Sequence, residues 1–206
     1  MAQRRFHYEQ AFEAYLREWR IPYIAVDEAK RALAEAEEPK TNADATAVEV
    51  AHAERLQVGA MSVGRTQVGG GGTLKSFDFV VYSRSGPNLL VDVKGRKHSG
   101  RSGRNLDNWV TREDVRSLGR WQTLFGEGFQ GVFAFFYWCQ VQPPDALFTD
   151  LFVWGDRWYA LLVVSLADYQ QAMKQRSRKW ETVCMGADDF RRLAVPMRQW
   201  LGLENR

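Results

Sequence analysis

The chain has 206 residues, of which 45% are hydrophobic and 13% aromatic, with eight Trp; that is enough apolar material for one well-buried domain and excludes wholesale disorder. Lys plus Arg is 28 against 25 Asp plus Glu, a formal charge of +3, which is mildly basic and short of a histone-like composition. The longest clear apolar run, Val132 to Cys139, is far below the ~20 residues of a membrane span. Met1 to His7 carries charge with no apolar stretch after it, so neither a membrane association nor a signal peptide is expected. Two cysteines, Cys139 and Cys184, make no disulfide framework and no four-Cys zinc site, which places the protein in the reducing cytoplasm.

Tyr8, Phe12, Tyr15, Leu16 and Trp19 recur at three- and four-residue spacing and predict a helix over Tyr8 to Trp19. Ile21-Pro22 ends it, and Tyr23 to Val26 is a short strand candidate. Helix formers return from Asp27 to about Ala36. The stretch 37–73 then has no aromatic residue and ends in four glycines, Gly69 to Gly72, so it reads as a flexible insert. Phe77 to Tyr82 and Leu89 to Lys94 are strands joined by a turn at Gly86-Pro87, which makes a hairpin. Gly95 to Arg104 reads as a basic, Gly-rich loop. Thr111 and Asp114 form a capping-box pattern that opens a helix over Arg112 to Phe125. Gly131 to Trp138 is a buried strand, and Leu151 to Trp154 with Trp158 to Val164 make a second hairpin around Gly155-Asp156. Ser165 to Lys174 is a helix, with Lys174, Arg176, Arg178 and Lys179 read as its solvated end. Trp180 to Met185 is a strand, and Ala187 to Leu203 holds one or two short helices around Pro196. The fold class is α/β in the mixed α+β sense, one domain over 1–206.

The first hairpin carries the chemistry. Period-2 alternation puts Asp78, Val80 and Tyr82 on one face and Phe77, Phe79 and Val81 on the other. On the next strand Leu90, Asp92 and Lys94 share a face. A carboxylate set among Phe and Val costs several kcal/mol unless something compensates it. A divalent cation with oxygen ligands is one compensator, and an ion pair with Lys94 is another. Two acids on neighbouring strands can hold Mg²⁺ beside a scissile phosphate, with Lys94 orienting the attacking water or meeting charge on phosphate oxygens. Taken alone, Asp92 and Lys94 read more plainly as a structural ion pair; Asp78 on the adjacent strand shifts the balance toward a site. The stretch Lys94 to Arg104 contains Arg96, Lys97, Arg101 and Arg104 and no acid, a composition suited both to gripping phosphates and to a simple solvated loop.

Asp78 followed by Asp92-Val93-Lys94 at the end of an apolar strand resembles the core motif of the PD-(D/E)XK nuclease superfamily. The resemblance spans Tyr8 to Trp138. It implies a restriction-endonuclease-like core, a central mixed sheet flanked by helices, and hydrolysis of DNA phosphodiesters with Mg²⁺ or Mn²⁺. It further implies a Glu on the helix before the hairpin. Glu9 is the matching residue and Glu13 the reserve, so that Glu9, Asp78 and Asp92 would be the metal ligands. It also points to Gln122, on the helix after the hairpin, as a substrate contact. His7-Tyr8-Glu9-Gln10-Ala11-Phe12-Glu13 is similar to the motif that names the bacterial HYExAFE proteins. No Pro precedes Asp78, where Phe77 stands, and the insert separates helix from hairpin. His7 reads as a surface or capping residue before it reads as a ligand. Two other readings are a catalytically inactive nucleic-acid-binding module of this fold and a protein-interaction domain. The sequence sets no oligomeric state and leaves a homodimer open.

Overall fold

The computed structural model describes residues 3–26, 74–99, 106–140 and 150–203, with side chains from residue 7 onward. The insert, the helix expected from Asp27, and Arg101 and Arg104 lie outside those residues.

Helix α1 (Gln3–Glu18) starts before the apolar stripe does and buries Ala11, Phe12, Tyr15 and Leu16. Strand β1 (Tyr23–Ala25) follows Pro22, and β2 (Phe79–Val81) pairs antiparallel with it. Strand β3 (Asn88–His98) pairs antiparallel with β2 and parallel with β5 (Phe129–Cys139) along its whole length. Helix α2 (Arg112–Phe125) makes the crossover between them. Its start is fixed as the sequence predicts. The Asp114 N–H donates to Thr111 Oγ1 (3.0 Å), and the Thr111 N–H donates to Asp114 Oδ2 (2.8 Å). Strands β6 (Leu151–Trp154) and β7 (Arg157–Ser165) complete a six-stranded mixed sheet in the order β1-β2-β3-β5-β7-β6. The expected class is present: a mixed α+β fold in which helices cover a central mixed sheet.

The two faces of β3 and β5 divide the core. Leu90, Phe133, Phe135 and Tyr137 pack with Leu118 and Trp121 of α2. Leu89, Val91, Ala134 and Phe136 pack with Phe12, Tyr15 and Leu16 of α1. Each of these side chains is almost wholly removed from water, which contributes roughly 1.5–3 kcal/mol per large apolar residue. Phe77 departs from the period-2 expectation. It packs with Trp121 and Phe125 on the α2 side, because the strand begins only at Phe79 and the chain bends at Asp78.

Three further corrections concern elements. Gly95 to His98, expected as the start of a loop, is strand, since β5 pairs with every residue of β3 and supplies the backbone partners that the Gly-rich composition left unassigned. The helix after Ser165 is α3 (Leu166–Ala172), and the polar run behind it is a strand, β8 (Met173–Ser177). That strand pairs with β9 (Thr182–Met185), which in turn pairs with β4 (Val110–Thr111), giving a small second sheet. Short helices α4 (Ala187–Leu193) and α5 (Met197–Trp200) close the described chain. Among the described residues no helix is long and apolar enough to cross a membrane.

Gly95 fixes how α1 meets the sheet. A Cβ at Gly95 would run into the Tyr8 ring, so the missing side chain is what lets Tyr8 lie against β3. Gly95→Ala should cost about 1–3 kcal/mol by overpacking. In a Tyr8→Ala background the same change should cost much less, because the obstacle is gone. Thermal unfolding of the single and double variants measures this; strictly additive losses would contradict the contact.

Candidate functional site

Strand β2 stops pairing with β3 at Phe79 opposite Val91, while β3 runs on to His98. Among the described residues, the second half of β3 therefore pairs with β5 on one side and with no strand on the other. A cleft of about 230 Å³ lies there. Asp78, Asp92 and Lys94 line it from the hairpin, Tyr8 and Glu9 from α1, and Lys75, Asp114, Arg96 and Trp109 from the α2 side.

Asp78 sits at the bend that opens β2. Its N–H donates to the Val91 carbonyl and its own carbonyl accepts from Val26, both at 2.9 Å. The β2–β3 register carried one residue back sets Asp78 opposite Asp92. Asp78 Oδ2 accepts from the Val93 N–H at 2.6 Å. Burial raises the Asp78 carboxyl well above its ordinary value, and the Asp92 charge and then Glu9 add to the effect. Asp92, 6% exposed, is also raised, by burial and against the pull of Lys94.

Lys94 Nζ lies 2.8 Å from Asp92 Oδ1 and 3.3 Å from Asp114 Oδ2. Burial alone would lower the Lys94 ammonium, but Asp92 and Asp114 outweigh it and hold it above its ordinary value. Asp114 works against its own burial, with Lys94 and Lys75 holding its carboxyl down at about 2. Lys75 pairs with Asp114 Oδ1, and its backbone is tied to α2: its N–H donates to Ser117 Oγ and its carbonyl accepts from Trp121 Nε1. Lys75 and Asp114 are absent from the sequence-derived set. Asp114 was legible as a cap, and a cap at the start of a helix next to the site was the signal for its second role.

The remaining candidates separate. Glu13 accepts from Arg17 and from the Tyr23 hydroxyl, away from the cleft. His7 belongs to an aromatic cluster with Tyr8, Trp138 and Tyr159. Arg96 points to the cleft side, stacked 4.2 Å from the Trp109 ring and bonded to the Trp109 carbonyl. Lys97 is exposed over Trp138 on the other face of β3, so the two basic residues form no single patch. Gln122 Oε1 accepts from the Gly131 N–H at 2.7 Å and so ties α2 to β5.

Among the described residues no set of three or more His, Cys, Asp or Glu side chains is grouped to hold a metal ion. The donor chemistry still fits one cation type. Mg²⁺ retains several waters and is commonly held by one or two carboxylates, and Asp78 with Asp92 supplies two hard oxygen donors in a buried setting.

The chain matches no protein-family model and no curated protein. Its structure is similar to that of the Holliday junction resolvase Hjc of the archaeal hyperthermophile Archaeoglobus fulgidus. The TM-score is 0.38 and the identity 12%, over 76% of this chain and 98% of that one.

Because burial and Asp92 raise Asp78, the folded protein keeps a proton there that the unfolded chain releases in the ordinary carboxylate range. Metal-free stability should therefore fall as pH rises above that range. Asp78→Asn should flatten this slope and raise Tm at neutral pH by roughly 2–4 °C per kcal/mol recovered; a variant less stable than wild type at pH 7 would contradict it. Gln122→Ala should cost about 1 kcal/mol of stability and leave nucleic-acid affinity unchanged, which a binding titration beside a melt would show.

Proposed function

We propose that the protein is a metal-dependent nuclease of the PD-(D/E)XK type, using Mg²⁺ or Mn²⁺ to hydrolyse phosphodiester bonds of DNA, with the whole chain as a single nuclease-like domain. The observation that carries this is the presence of Glu9, Asp78, Asp92 and Lys94 in one cleft, with Lys94 bonded to Asp92. These four come from three separate elements. A structural ion pair would need only Asp92 and Lys94; it gives no reason for a second carboxylate in the same cleft, raised by burial first and by Asp92 second.

In this reading Asp78, Asp92 and Glu9 would hold the cation. Bound there, the metal supplies polarisation of the phosphate and a lowered pKa for the attacking water. Lys94 stays protonated at neutral pH, held so by Asp92 and Asp114. It therefore serves as a hydrogen-bond donor and positive charge toward the reacting water or a phosphate oxygen, not as a proton acceptor. Asp114 and Lys75 position it. Arg96, stacked on Trp109 at the cleft wall, would grip a flanking phosphate. Arg101 and Arg104, close after β3 in the chain, would extend that grip.

Asp92→Asn should lower Mg²⁺-dependent cleavage of plasmid or short-duplex DNA by about a hundredfold or more, since the amide has the shape but lacks the charge that holds the metal. DNA affinity should stay within a few-fold of wild type. Cleavage that survives the change would put the catalytic centre elsewhere. Wild-type protein that binds DNA and cleaves no substrate with any divalent metal would favour the inactive binding module.

A further inference from the structure

The second sheet carries a surface that the nuclease reading does not use. The β8–β9 hairpin presents Lys174, Arg176, Arg178 and Lys179 to solvent, with Glu181 the one acid in the segment. At its tip Trp180 is 69% exposed, the most exposed large hydrophobic residue among those described, with the Lys179 ammonium 5.5 Å from its ring.

The tip is held in place. Glu181 takes the left-handed backbone conformation, with φ of 44°, which is uncommon for a residue with a side chain. Its carbonyl accepts from the Arg112 N–H at 2.8 Å, which fastens the turn to the start of α2. The Gln175 side-chain amide donates to the Ser177 carbonyl at 2.8 Å and to that of Thr182 at 3.2 Å, bracing the bulge before the turn. Trp180 is thus an exposed ring on a fixed support.

The hairpin also adjoins the cleft. The Arg176 guanidinium lies 5.2 Å from the Trp109 ring, which Arg96 stacks on at 4.2 Å. Trp109 and Arg96 line the cleft. On the other side, Arg112 bonds the Gln175 side chain. Arg116 and Arg120 then continue an exposed basic stripe along α2 at helical spacing. Arg96 at the cleft wall and Arg176 on the hairpin thus share one ring, that of Trp109.

From these features we infer that the β8–β9 hairpin is a second nucleic-acid contact, on which an unpaired base stacks against Trp180 while Arg176, Arg178 and Lys179 take the adjoining phosphates. The substrate it fits is DNA with a single-stranded segment, such as a flap, gap or branch. Base–indole stacking is insensitive to sequence and needs an unstacked base, which a continuous duplex does not offer. This rests on the nuclease reading only for the direction of the strand toward the cleft; the binding stands apart from it.

The test is a binding titration of the full chain, without divalent metal, against fluorescein-labelled oligo-dT and a blunt duplex, at two salt concentrations. Trp180→Ala should weaken oligo-dT binding about tenfold or more and leave the duplex within twofold. Trp180→Phe should keep most of the affinity. Arg178→Ala with Lys179→Ala should weaken both ligands and flatten the salt dependence by about 0.7 per charge on the single strand. The inference is overturned if wild type binds no oligo-dT, if Trp180→Ala leaves that affinity unchanged, or if it weakens both ligands equally. Failure of Mg²⁺-dependent cleavage would count against the nuclease reading while leaving a Trp180-dependent single-strand affinity intact.

Discussion

Lys94 is buried between two carboxylates, and the geometry of the cleft depends on that balance of charge. Its side chain is 12% exposed, a position in which an unpaired ammonium would be driven toward neutrality. Asp92 and Asp114 keep it charged. Asp92 belongs to the same strand, two residues back, but Asp114 comes from the first turn of α2. The ion pair therefore fixes the helix against the strand as well as fixing Lys94. Asp114 serves the helix too, closing the reciprocal cap with Thr111. One carboxylate thereby joins helix initiation, packing and the placement of the cation.

Among the described residues, Asp78 has no partner as strong as those of Lys94. One N–H, from Val93, reaches it, while burial and Asp92 oppose its charge. The fold supports this locally unfavourable arrangement through the apolar faces of β3 and β5, which are buried almost completely along most of their length. Breaks in local consistency of this kind concentrate at functional sites. The early end of β2 along β3 matters as much as the charges do. Had β2 paired with β3 to its end, the cleft would be filled by a strand. Because β2 is three residues long, α1 can bring Glu9 to the same space, with Tyr8 seated on Gly95.

Much of this was legible in the sequence where a local rule and the tertiary structure agree. The start of α2 follows from Thr111 and Asp114, because a reciprocal cap is a property of four consecutive residues. The apolar stripe of α1 and the buried runs of β5 and β7 were equally plain. Other elements depend on partners distant in sequence. Gly95 to His98 has a loop-like composition, and only parallel pairing with β5 makes it a strand. Met173 to Ser177 is polar on both faces, with no alternation to mark it, and gains its strand conformation from β9. In the site, Asp78, Asp92 and Lys94 stood out as charges within apolar strands. Lys75 did not, since it follows the Gly-rich insert directly and owes its position to Ser117 and Trp121. Gln122 also has a structural partner: its Oε1 accepts from the Gly131 N–H, a contact between helix and strand that register alone does not reveal.

The proposed role of Asp78 and Asp92 is to hold a hard divalent cation. The most direct measurement is a crystal structure of wild-type protein grown with Mn²⁺, whose anomalous scattering locates the ion without bias. A peak is expected between Asp78 and Asp92, with carboxylate oxygens at about 2.0–2.3 Å and water completing the shell, and Lys94 still within reach of Asp92. A cleft free of anomalous signal at saturating Mn²⁺, or an ion bound elsewhere with Asp78 and Asp92 unchanged, would contradict it.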